Sequence, residues 1–547
     1  MDQKFISNFF MICMFLIGTA NIYSVPPYSN NMGTGSFYEP FQISDEQDLD
    51  LFTTDVNSGH NFRDTYFILV NDITTDVTTM IGNDRNYFQG HFDGNNKKIK
   101  VAISSNLPNV GLFSQLENGS IYNLVLDGFV SGDSSNQNVG GIAGKIIGGD
   151  FGYCTNFATV MGGSGSTVGG IFGSSPGVIG NSAVVAMHFC SNNGVISGGF
   201  AVAGIIGFVG SAFQMEVCRN AGTICRSGNT NPTYMAGIIG YTTGEHVKTT
   251  HNLVNIGKIM SRNATYSGGI VAYLSSSYNA TILFFSVNAG IVDGATNSVG
   301  GIVGFINALP GSNIGISECL NTNWVEPIGT YRGAIVGRNA GGLVDINNCY
   351  YDNQMCILGG INNVDVIGSA EGRPTANMIG NSLGSPISSS STPAQLYPLP
   401  GISLYANLHP IELLAMAPIY LPEDTAATGI ITAMNVSNVT SDFYVSNGYI
   451  PVLLPLYEFP FQWGIFDYAI YPNQWNYFPN SVNNYITIST TSDDATINST
   501  GGILMPDTLV VRLEYDWFYD CTKHTFCYPP EYNIIFEKVV PVWILKR

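Results

Sequence analysis

Short runs of Val and Ile, interrupted by glycine, recur along the central part of the chain. The phrase VGGIVGF at 299–305 has close counterparts: VGGIFG at 168, VAGIIG at 202, MAGIIG at 235 and SGGIVA at 267. Short β-branched runs broken by Gly, Asn and Ser are typical of strands and turns, whereas helices need apolar residues three and four positions apart. The pattern therefore predicts an all-β array of similar units.

The spacing of the phrase predicts how these units are arranged. Aligned units begin near Val110, Val139, Val168, Val202, Met235, Ser267, Val299 and Arg332. Successive starts lie 29 to 34 residues apart, a period typical of stacked supersecondary units and shorter than a propeller blade of about 40 residues. We therefore expect about eight coils of two or three short strands each, stacked as a right-handed parallel β-helix.

Stacked coils place equivalent side chains over one another, about 4.8 Å apart. The predicted interior columns are an isoleucine column, an asparagine column and a cysteine column. They comprise Ile142, Ile171, Ile205, Ile238, Ile270 and Ile302; Asn156, Asn192, Asn220, Asn255, Asn288 and Asn321; and Cys154, Cys190, Cys218, Cys319 and Cys349. We expect amide–amide hydrogen bonds in the second column and free, buried thiols in the third. The paired glycines are expected to permit sharp corners and close backbone contacts.

The unit VGGIVG…C.N.G.I resembles the GLUG repeat. That repeat occurs in bacterial surface and secreted proteins, including the non-catalytic parts of immunoglobulin A peptidases, and in some microbial eukaryotes. The segments 33–52, 66–74 and 88–99 resemble the opening of such arrays, and NCYYDNQ near 348 resembles an exit. The resemblance implies a β-helix that serves as a stalk or display surface. The catalytic HExxH motif of those peptidases is absent here, so their proteolysis is not implied.

The sequence predicts five segments. They are a signal peptide at 1–20, a cap and lead-in at 33–108, GLUG-like repeats at 109–380, a Ser/Pro-rich linker at 381–401 and an aromatic-rich, sandwich-like β domain at 402–547. Within the lead-in, Ser44 and Gln47 form a predicted capping box for a helix ending near Gly59. A helix over 44–58 would cover the open strands at the end of the stack.

The amino terminus predicts secretion. Lys4 precedes an apolar run from Phe9 to Ile17, and Gly18 and Ala20 suit a signal-peptidase site. An uncleaved membrane anchor is the alternative, although the run is short for a membrane span. Six glycan acceptor sequons fit an exported chain: Asn118, Asn263, Asn279, Asn435, Asn438 and Asn498. Cys521 and Cys527 enclose a short loop and are a candidate disulfide for an oxidising compartment.

The composition limits the classes of function. The net charge is −19 with only 11% charged residues, which argues against nucleic acid binding because phosphate contacts need clustered Lys and Arg. We find no catalytic motif and expect no cofactor and no metal site. Acidic residues in the array make no column, and His246 and His251 are spaced as surface residues rather than as ligands.

The leading hypothesis is a secreted or surface-displayed, non-enzymatic β-helix protein for adhesion, recognition or extracellular structure. Its partner would be a protein or a glycan on a surface, and Trp463, Tyr471 and Trp475 are the candidate partner face. A carbohydrate-binding or carbohydrate-cleaving β-helix is the second hypothesis. A self-assembling subunit of an extracellular or virion coat is the third.

Overall fold

The chain is a parallel β-solenoid of about ten turns. The computed structural model describes residues 33–177, 184–228, 230–243, 248–276, 280–309, 312–341, 343–353, 356–373 and 377–378, and the backbone of nine further strands between 411 and 545. Four parallel sheets run along the solenoid, and equivalent strands of successive coils are neighbours in each sheet. The predicted stacked, parallel all-β array is therefore confirmed, while its right-handed sense stays a prediction.

The four sheets, numbered 1 to 4, have the following strands. Sheet 1 contains Phe41–Ile43, Tyr66–Leu69, His91–Asp93, Ser120–Tyr122, Gly149–Gly152, Val184–His188, Ala212–Glu216, Lys248–His251, Ala280–Phe284, Asn313–Ser317 and Leu343–Asn347. Sheet 2 contains Asn109–Val110, Asn138–Gly140, Thr167–Gly169, Ala201–Ala203, Tyr234–Ala236, Tyr266–Gly268, Ser298–Gly300 and Tyr331–Gly333. Sheet 3 contains Phe113–Glu117, Ala143–Ile147, Phe172–Ser175, Ile206–Val209, Ile239–Thr242, Val271–Ser276, Val303–Ala308 and Val336–Asn339. Sheet 4 contains Ile73–Val77, Lys98–Ser105, Val125–Gly132, Thr155–Asn156, Thr159–Met161, Ser191–Asn192, Ile196–Gly198, Arg219–Asn220, Ile224–Arg226, Val254–Asn255, Val287–Asn288, Leu320–Asn321, Cys349–Asp352 and Ala370–Arg373.

The eight strands of sheet 2 correspond to the eight predicted coils. Sheet 1 has eleven strands because the lead-in contributes Phe41–Ile43, Tyr66–Leu69 and His91–Asp93 at its amino-terminal end. The lead-in therefore extends the same stack.

Nine strands lie in the carboxy-terminal part of the chain and form two sheets. The four-stranded sheet has the order Ile411–Leu413, Thr428–Asn435, Asp494–Ser499, Ile486–Thr490, and all of its pairs are antiparallel. The five-stranded sheet has the order Ile419–Pro422, Tyr532–Leu545, Asp507–Trp517, Phe461–Phe466, Asn476–Tyr477. The β-rich character agrees with the sequence, and the packing of these sheets as a sandwich stays a prediction. The predicted signal peptide and linker lie outside the described residues.

The isoleucine column lies in the interior of the solenoid. All six predicted side chains are fully buried. The backbone N–H of each donates to the carbonyl of the next, from Ile142 to Ile171 and onward to Ile302, which donates to Ile335. The column therefore continues one coil further than its six predicted members, and a single register extends through these coils.

The asparagine column forms a continuous ladder of side-chain amides. Each Nδ2 donates to the Oδ1 of the next asparagine at 2.8 Å, from Asn156 through to Asn321. Each Nδ2 also donates to the backbone carbonyl two residues further along its own coil. All six side chains are completely buried. Because buried polar groups must be paired, the ladder satisfies the amides and the adjacent corner backbone together.

In the six coils that carry the ladder, the second glycine of the phrase faces an asparagine side chain. A Cβ added at Gly237 would collide with the Asn255 amide and with the Gly269 carbonyl of the next coil. Gly204 and Gly269 have the same environment against Asn220 and Asn288. This position of the phrase therefore needs glycine, because the backbone there touches both an asparagine amide and the backbone of the neighbouring coil.

The expected close backbone contacts of these glycines are present, and they do not involve left-handed backbone angles. None of the paired glycines of the phrase has a positive φ, and neither does any asparagine of the ladder. The left-handed corner position is instead the residue immediately before the cysteine column. Its members have φ between 50° and 56°: Tyr153, Phe189, Val217, Asn252, Phe285, Glu318 and Asn348. Close contact, and not φ, is what requires glycine in the phrase.

A helix precedes the coils, at Glu46–Asn57. Its N-cap is Asp45, whose carboxylate accepts the Asp48 N–H, while the Ser44 N–H donates to the Asp48 carboxylate. The predicted Ser44/Gln47 capping box is therefore shifted by one residue, because an aspartate pair makes the reciprocal bonds. Gly59 follows the helix with a φ of 107°. No helix of the described residues is long and apolar enough to cross a membrane.

The helix packs against aromatic residues of the first coils. Phe52 lies 4.6 Å from Phe67, 5.4 Å from Phe88 and 6.1 Å from Phe92, measured between ring centroids. All four rings are buried. This cluster fixes the helix to the beginning of the solenoid through apolar contacts.

Replacing one amide of the ladder is expected to destabilise the fold. Asn220→Ala breaks its bonds to Asn192 and Asn255 and removes the donor to the Gly222 carbonyl, while the Gly222 N–H keeps its bond to the Asn192 carbonyl. At 1–3 kcal/mol for each unsatisfied buried group, we expect the free energy of unfolding to fall by about 3 kcal/mol. Chemical denaturation measures this. Gln214→Ala, an exposed change in the same coil, is the control and should shift stability by less than about 0.5 kcal/mol. Equal effects of the two substitutions would contradict the ladder's role.

A pair of glycine substitutions tests the close contact. Gly237→Ala is expected to lower the free energy of unfolding by about 3 kcal/mol because the new methyl group overlaps buried backbone and the Asn255 amide. Gly315→Ala, in a sheet 1 strand, has no heavy atom within 4 Å of the added Cβ and should be neutral or slightly stabilising. Thermal unfolding compares the two proteins. A fully tolerated Gly237→Ala would refute the steric explanation.

Candidate ligand-binding face

One column of aromatic side chains runs along the outside of sheet 3. Phe208, Tyr241, Tyr273 and Phe305 occupy the same register position in four successive coils. Ring centroids lie 4.4 Å apart between Phe208 and Tyr241 and 5.2 Å apart between Tyr273 and Phe305, in stacked geometry. None of these rings belongs to the buried core cluster, so the column faces outward.

A second aromatic column lies beside the first on sheet 2. Tyr234 and Tyr266 are register partners, and Ser298 and then Tyr331 follow in the next two coils. Tyr234 stacks on Tyr241 of the first column at 4.6 Å, and Tyr266 meets Tyr273 edge to face at 5.4 Å. The two columns therefore form one contiguous surface, here called the aromatic stripe. Its members are Phe200, Phe208, Tyr234, Tyr241, Tyr266, Tyr273, Phe305 and Tyr331.

The glycine phrase brings the two columns together. It joins each strand of sheet 2 to the following strand of sheet 3, and a Cβ on its first glycine would collide with a backbone carbonyl of the sheet 3 strand, as at Gly268 and Val271. The two strands therefore approach closely at the corner. The residue that opens the sheet 2 strand then lies next to the aromatic residue of the sheet 3 strand.

The stripe presents ring edges and hydroxyl groups to solvent. Three pairs stack along the solenoid, Phe208 with Tyr241, Tyr234 with Tyr266 and Tyr273 with Phe305, so a neighbour covers one face of each of these rings. Most of the rings are half-buried, and Phe305 is 8% exposed. Burial raises the pKa of Tyr234 and Tyr241 to about 12, so both hydroxyls remain protonated donors at neutral pH. The Asn307 amide donates to the Tyr273 hydroxyl at 2.9 Å, which fixes one polar group on the surface.

An arginine lies at the carboxy-terminal end of the stripe. Arg338 follows Phe305 in register. Its guanidinium carbon lies 4.1 Å from the Tyr331 ring centroid and 5.3 Å from that of Phe305. This cation–π contact holds the guanidinium over the last two rings.

The same positions are polar in the first coils. The sheet 3 column begins with Gln115, Lys145 and Ser174 before it reaches Phe208. The sheet 2 column begins with Asn109, Asn138 and Thr167. The aromatic stripe is therefore confined to the later coils.

Sequence reasoning missed this surface. It assigned the partner face to Trp463, Tyr471 and Trp475, of which Trp463 is in the strand Phe461–Phe466 and the other two lie outside the described residues. The available signal was an aromatic residue at two fixed positions around the glycine phrase, as in TYMAGIIGY at 233–241 and TYSGGIVAY at 265–273. This repeat of outward-facing residues is separate from the interior columns that the sequence predicted.

The remaining predicted site residues are dispersed. Asn118 and Asn263 are exposed at the surface of the solenoid. Asn435 and Asn498 lie in the strands Thr428–Asn435 and Asp494–Ser499. Asn279, Asn438, Cys521 and Cys527 lie outside the described residues, so glycosylation and the disulfide stay predictions.

Acid–base side chains occur on the outer side of sheet 1. The His188 Nε2 lies 3.1 Å from Asp150 Oδ1 and 3.3 Å from the Tyr122 hydroxyl. His251 forms a similar 3.1 Å contact with Glu216. His251 is thus half-buried and paired, and His246 lies outside the described residues. Across the described ranges, no three His, Cys, Asp or Glu side chains converge as a metal site.

The cysteine column consists of free, buried thiols, as expected. Cys154, Cys190, Cys218, Cys319 and Cys349 are all fully buried and unpaired by disulfides. Burial raises the pKa of the Cys154 and Cys218 thiols well above the ordinary value. All five thiols lack solvent access, which makes them poor nucleophiles, so this column belongs to the core.

The fold and the site define a repeat β-solenoid with an outward aromatic stripe. No family model matches the chain, and no curated protein matches it. A similar solved structure is a crystal structure described as a "putative immunoglobulin A1 protease" from Bacteroides ovatus. The two chains are 19% identical with a TM-score of 0.32, and the match covers 65% of this chain and 89% of that one. The name of that protein assigns no activity to this chain.

The thiols offer a test of the interior. In native protein treated with iodoacetamide, we expect Cys225, which is only partly buried, to be alkylated before the five column thiols. Burial also raises the pKa of Cys225, so its labelling should increase with pH beyond the range for an exposed thiol. Peptide mass mapping measures each site, with guanidinium-unfolded protein as the control. Rapid labelling of Cys190 in the native protein would contradict the buried column.

Proposed function

We propose that this chain is a secreted or surface-displayed, non-enzymatic recognition protein that binds a linear carbohydrate along its aromatic stripe. The observation that carries the proposal is the alignment of seven Tyr and Phe rings at two register positions of neighbouring coils, with Phe200 packed beside them. Tyrosine combines a large apolar contact with a hydroxyl donor, which suits a ligand with both apolar and hydroxyl surfaces. Export follows from the predicted signal segment.

The shape of the stripe favours a chain-like ligand. The four aromatic residues of the sheet 3 column, one from each coil, span about 14 Å at the spacing of neighbouring strands. The stripe is two side chains wide. A stable protein–protein interface needs about 800 Å² on each partner, which is far more than this strip supplies. A linear polymer lying parallel to the solenoid axis matches its proportions.

The strands beneath the stripe favour a carbohydrate over a peptide. Peptides that bind sheets usually pair with a free strand edge. The sheet 3 strands that carry Tyr241 and Tyr273 already pair with a neighbour on both sides. Recognition must therefore use side chains, as hydroxyl-rich sugars allow.

In this proposal the helix Glu46–Asn57 covers the amino-terminal end of the stack.

Binding to polysaccharides tests the function. We expect the full-length protein to be retarded in affinity electrophoresis through gels containing at least one soluble polysaccharide. Tyr241→Ala and Tyr273→Ala should each weaken binding about tenfold, equivalent to about 1.4 kcal/mol, because each removes a central contact.

Tyr153→Ala is the matched control. Tyr153 is an exposed tyrosine stacked on Phe189 at 4.8 Å, outside the stripe. Binding should be unchanged in this variant. Thermal unfolding verifies that all variants are folded. Polysaccharide binding that is insensitive to both stripe substitutions, or retardation by no polysaccharide, would refute the proposal.

A further inference from the structure

Among the described residues, the segments that carry the aromatic stripe contain no negative charge, although the protein is acidic. In the last four coils of the stripe, the chain segments around its two aromatic positions contain a single charged residue, Arg338. These segments are 232–234, 241–243, 264–266, 273–275, 296–298, 305–307, 329–331 and 338–340. With a net charge of −19 over the whole chain, described segments that contain a cation and no carboxylate are complementary to an anionic ligand.

The ring orientation adds to this complementarity. An aromatic ring carries partial negative charge on its faces and partial positive charge at its edge. Stacking along the solenoid covers one face of each ring in the three stacked pairs. Protonated tyrosine hydroxyls lie at the same surface and donate hydrogen bonds. Edges and hydroxyls together favour a ligand that carries negatively charged oxygen atoms.

Arg338 is held in position for such a ligand. Its guanidinium rests over the Tyr331 and Phe305 rings, and the side chain is half-buried. Among the described residues, no carboxylate lies within ion-pair distance of Arg338, or of Lys145 at the other end of the same register column. A planar guanidinium binds a carboxylate through two parallel hydrogen bonds, and an ordered one loses less entropy on binding.

We propose that the stripe selects polysaccharides that carry carboxylate groups, with Arg338 binding one sugar carboxylate at its carboxy-terminal end. This inference rests on the proposed function, since it specifies the ligand class of the same surface. The sugar rings would lie along the tyrosine and phenylalanine edges. The carboxylate would replace water at the guanidinium.

The experiment compares acidic polysaccharides with neutral forms of the same backbone. The probes are polygalacturonate, hyaluronan and polysialic acid, each beside its carboxyl-reduced form, and biolayer interferometry measures their affinities at low and moderate salt. The full-length protein is produced in a host without N-glycosylation, because the acceptor Asn263 lies three residues from Tyr266. We expect at least one acidic form to bind about tenfold more tightly than its reduced form.

Substitutions at Arg338 test whether this side chain causes the preference for the acidic polysaccharide. Arg338→Gln should abolish the preference for the acidic form, and Arg338→Lys should restore part of it because the charge returns without the bidentate geometry. Arg85→Gln, at an exposed arginine outside the stripe, controls for overall charge and should leave the preference intact. Thermal unfolding confirms that each variant is folded.

The outcomes separate this inference from the proposed function. Equal binding of acidic and reduced forms overturns the selection for carboxylates, and an acidic preference unaffected by Arg338→Gln overturns the assignment of that selection to Arg338. If neutral polysaccharides still bind and Tyr241→Ala still weakens them, the proposed carbohydrate recognition remains supported while this inference fails. If no polysaccharide of either kind binds, both are refuted.

Discussion

The fold depends on the contact between the asparagine ladder and the glycines that face it. Each buried amide binds the next amide and the corner backbone of its own coil. That arrangement is possible only where the opposing residue has no side chain, as at Gly237 against Asn255. If the glycine were a larger residue, its side chain would exclude the asparagine amide. If the asparagine were absent, the corner backbone would be left unpaired. Because the pair recurs in successive coils, it holds those coils in register.

Register on the inside also determines alignment on the outside. With the coils held in register, residues at a short, fixed offset from the phrase lie over their equivalents in the next coil. Tyr241 therefore meets Tyr273 without any further ordering of the backbone. The aromatic stripe is rigid because the ladder beneath it is rigid, and a preorganised surface loses little entropy when it binds a ligand.

Interior features were predictable from the sequence because they repeat in nearly every coil. The isoleucine, asparagine and cysteine columns follow from the period alone. The left-handed corner was not predictable, since it is occupied by Tyr153, Phe189 and Val217, and a β-branched residue is among the least favourable choices there. The surrounding hydrogen bonds impose that conformation. The stripe was not predicted because aromatic residues occupy these positions in only some coils. Its two columns form one surface only because strands of sheets 2 and 3 meet at a corner.

The partial extent of the stripe is itself informative about its role. Gln115, Lys145 and Ser174 occupy the sheet 3 column in earlier coils, and those coils have the same strands and the same interior contacts. Coil formation therefore does not require aromatic residues at this position. Rings that the fold does not need, gathered on one surface and ended by an arginine, are better explained by the binding of a ligand than by packing.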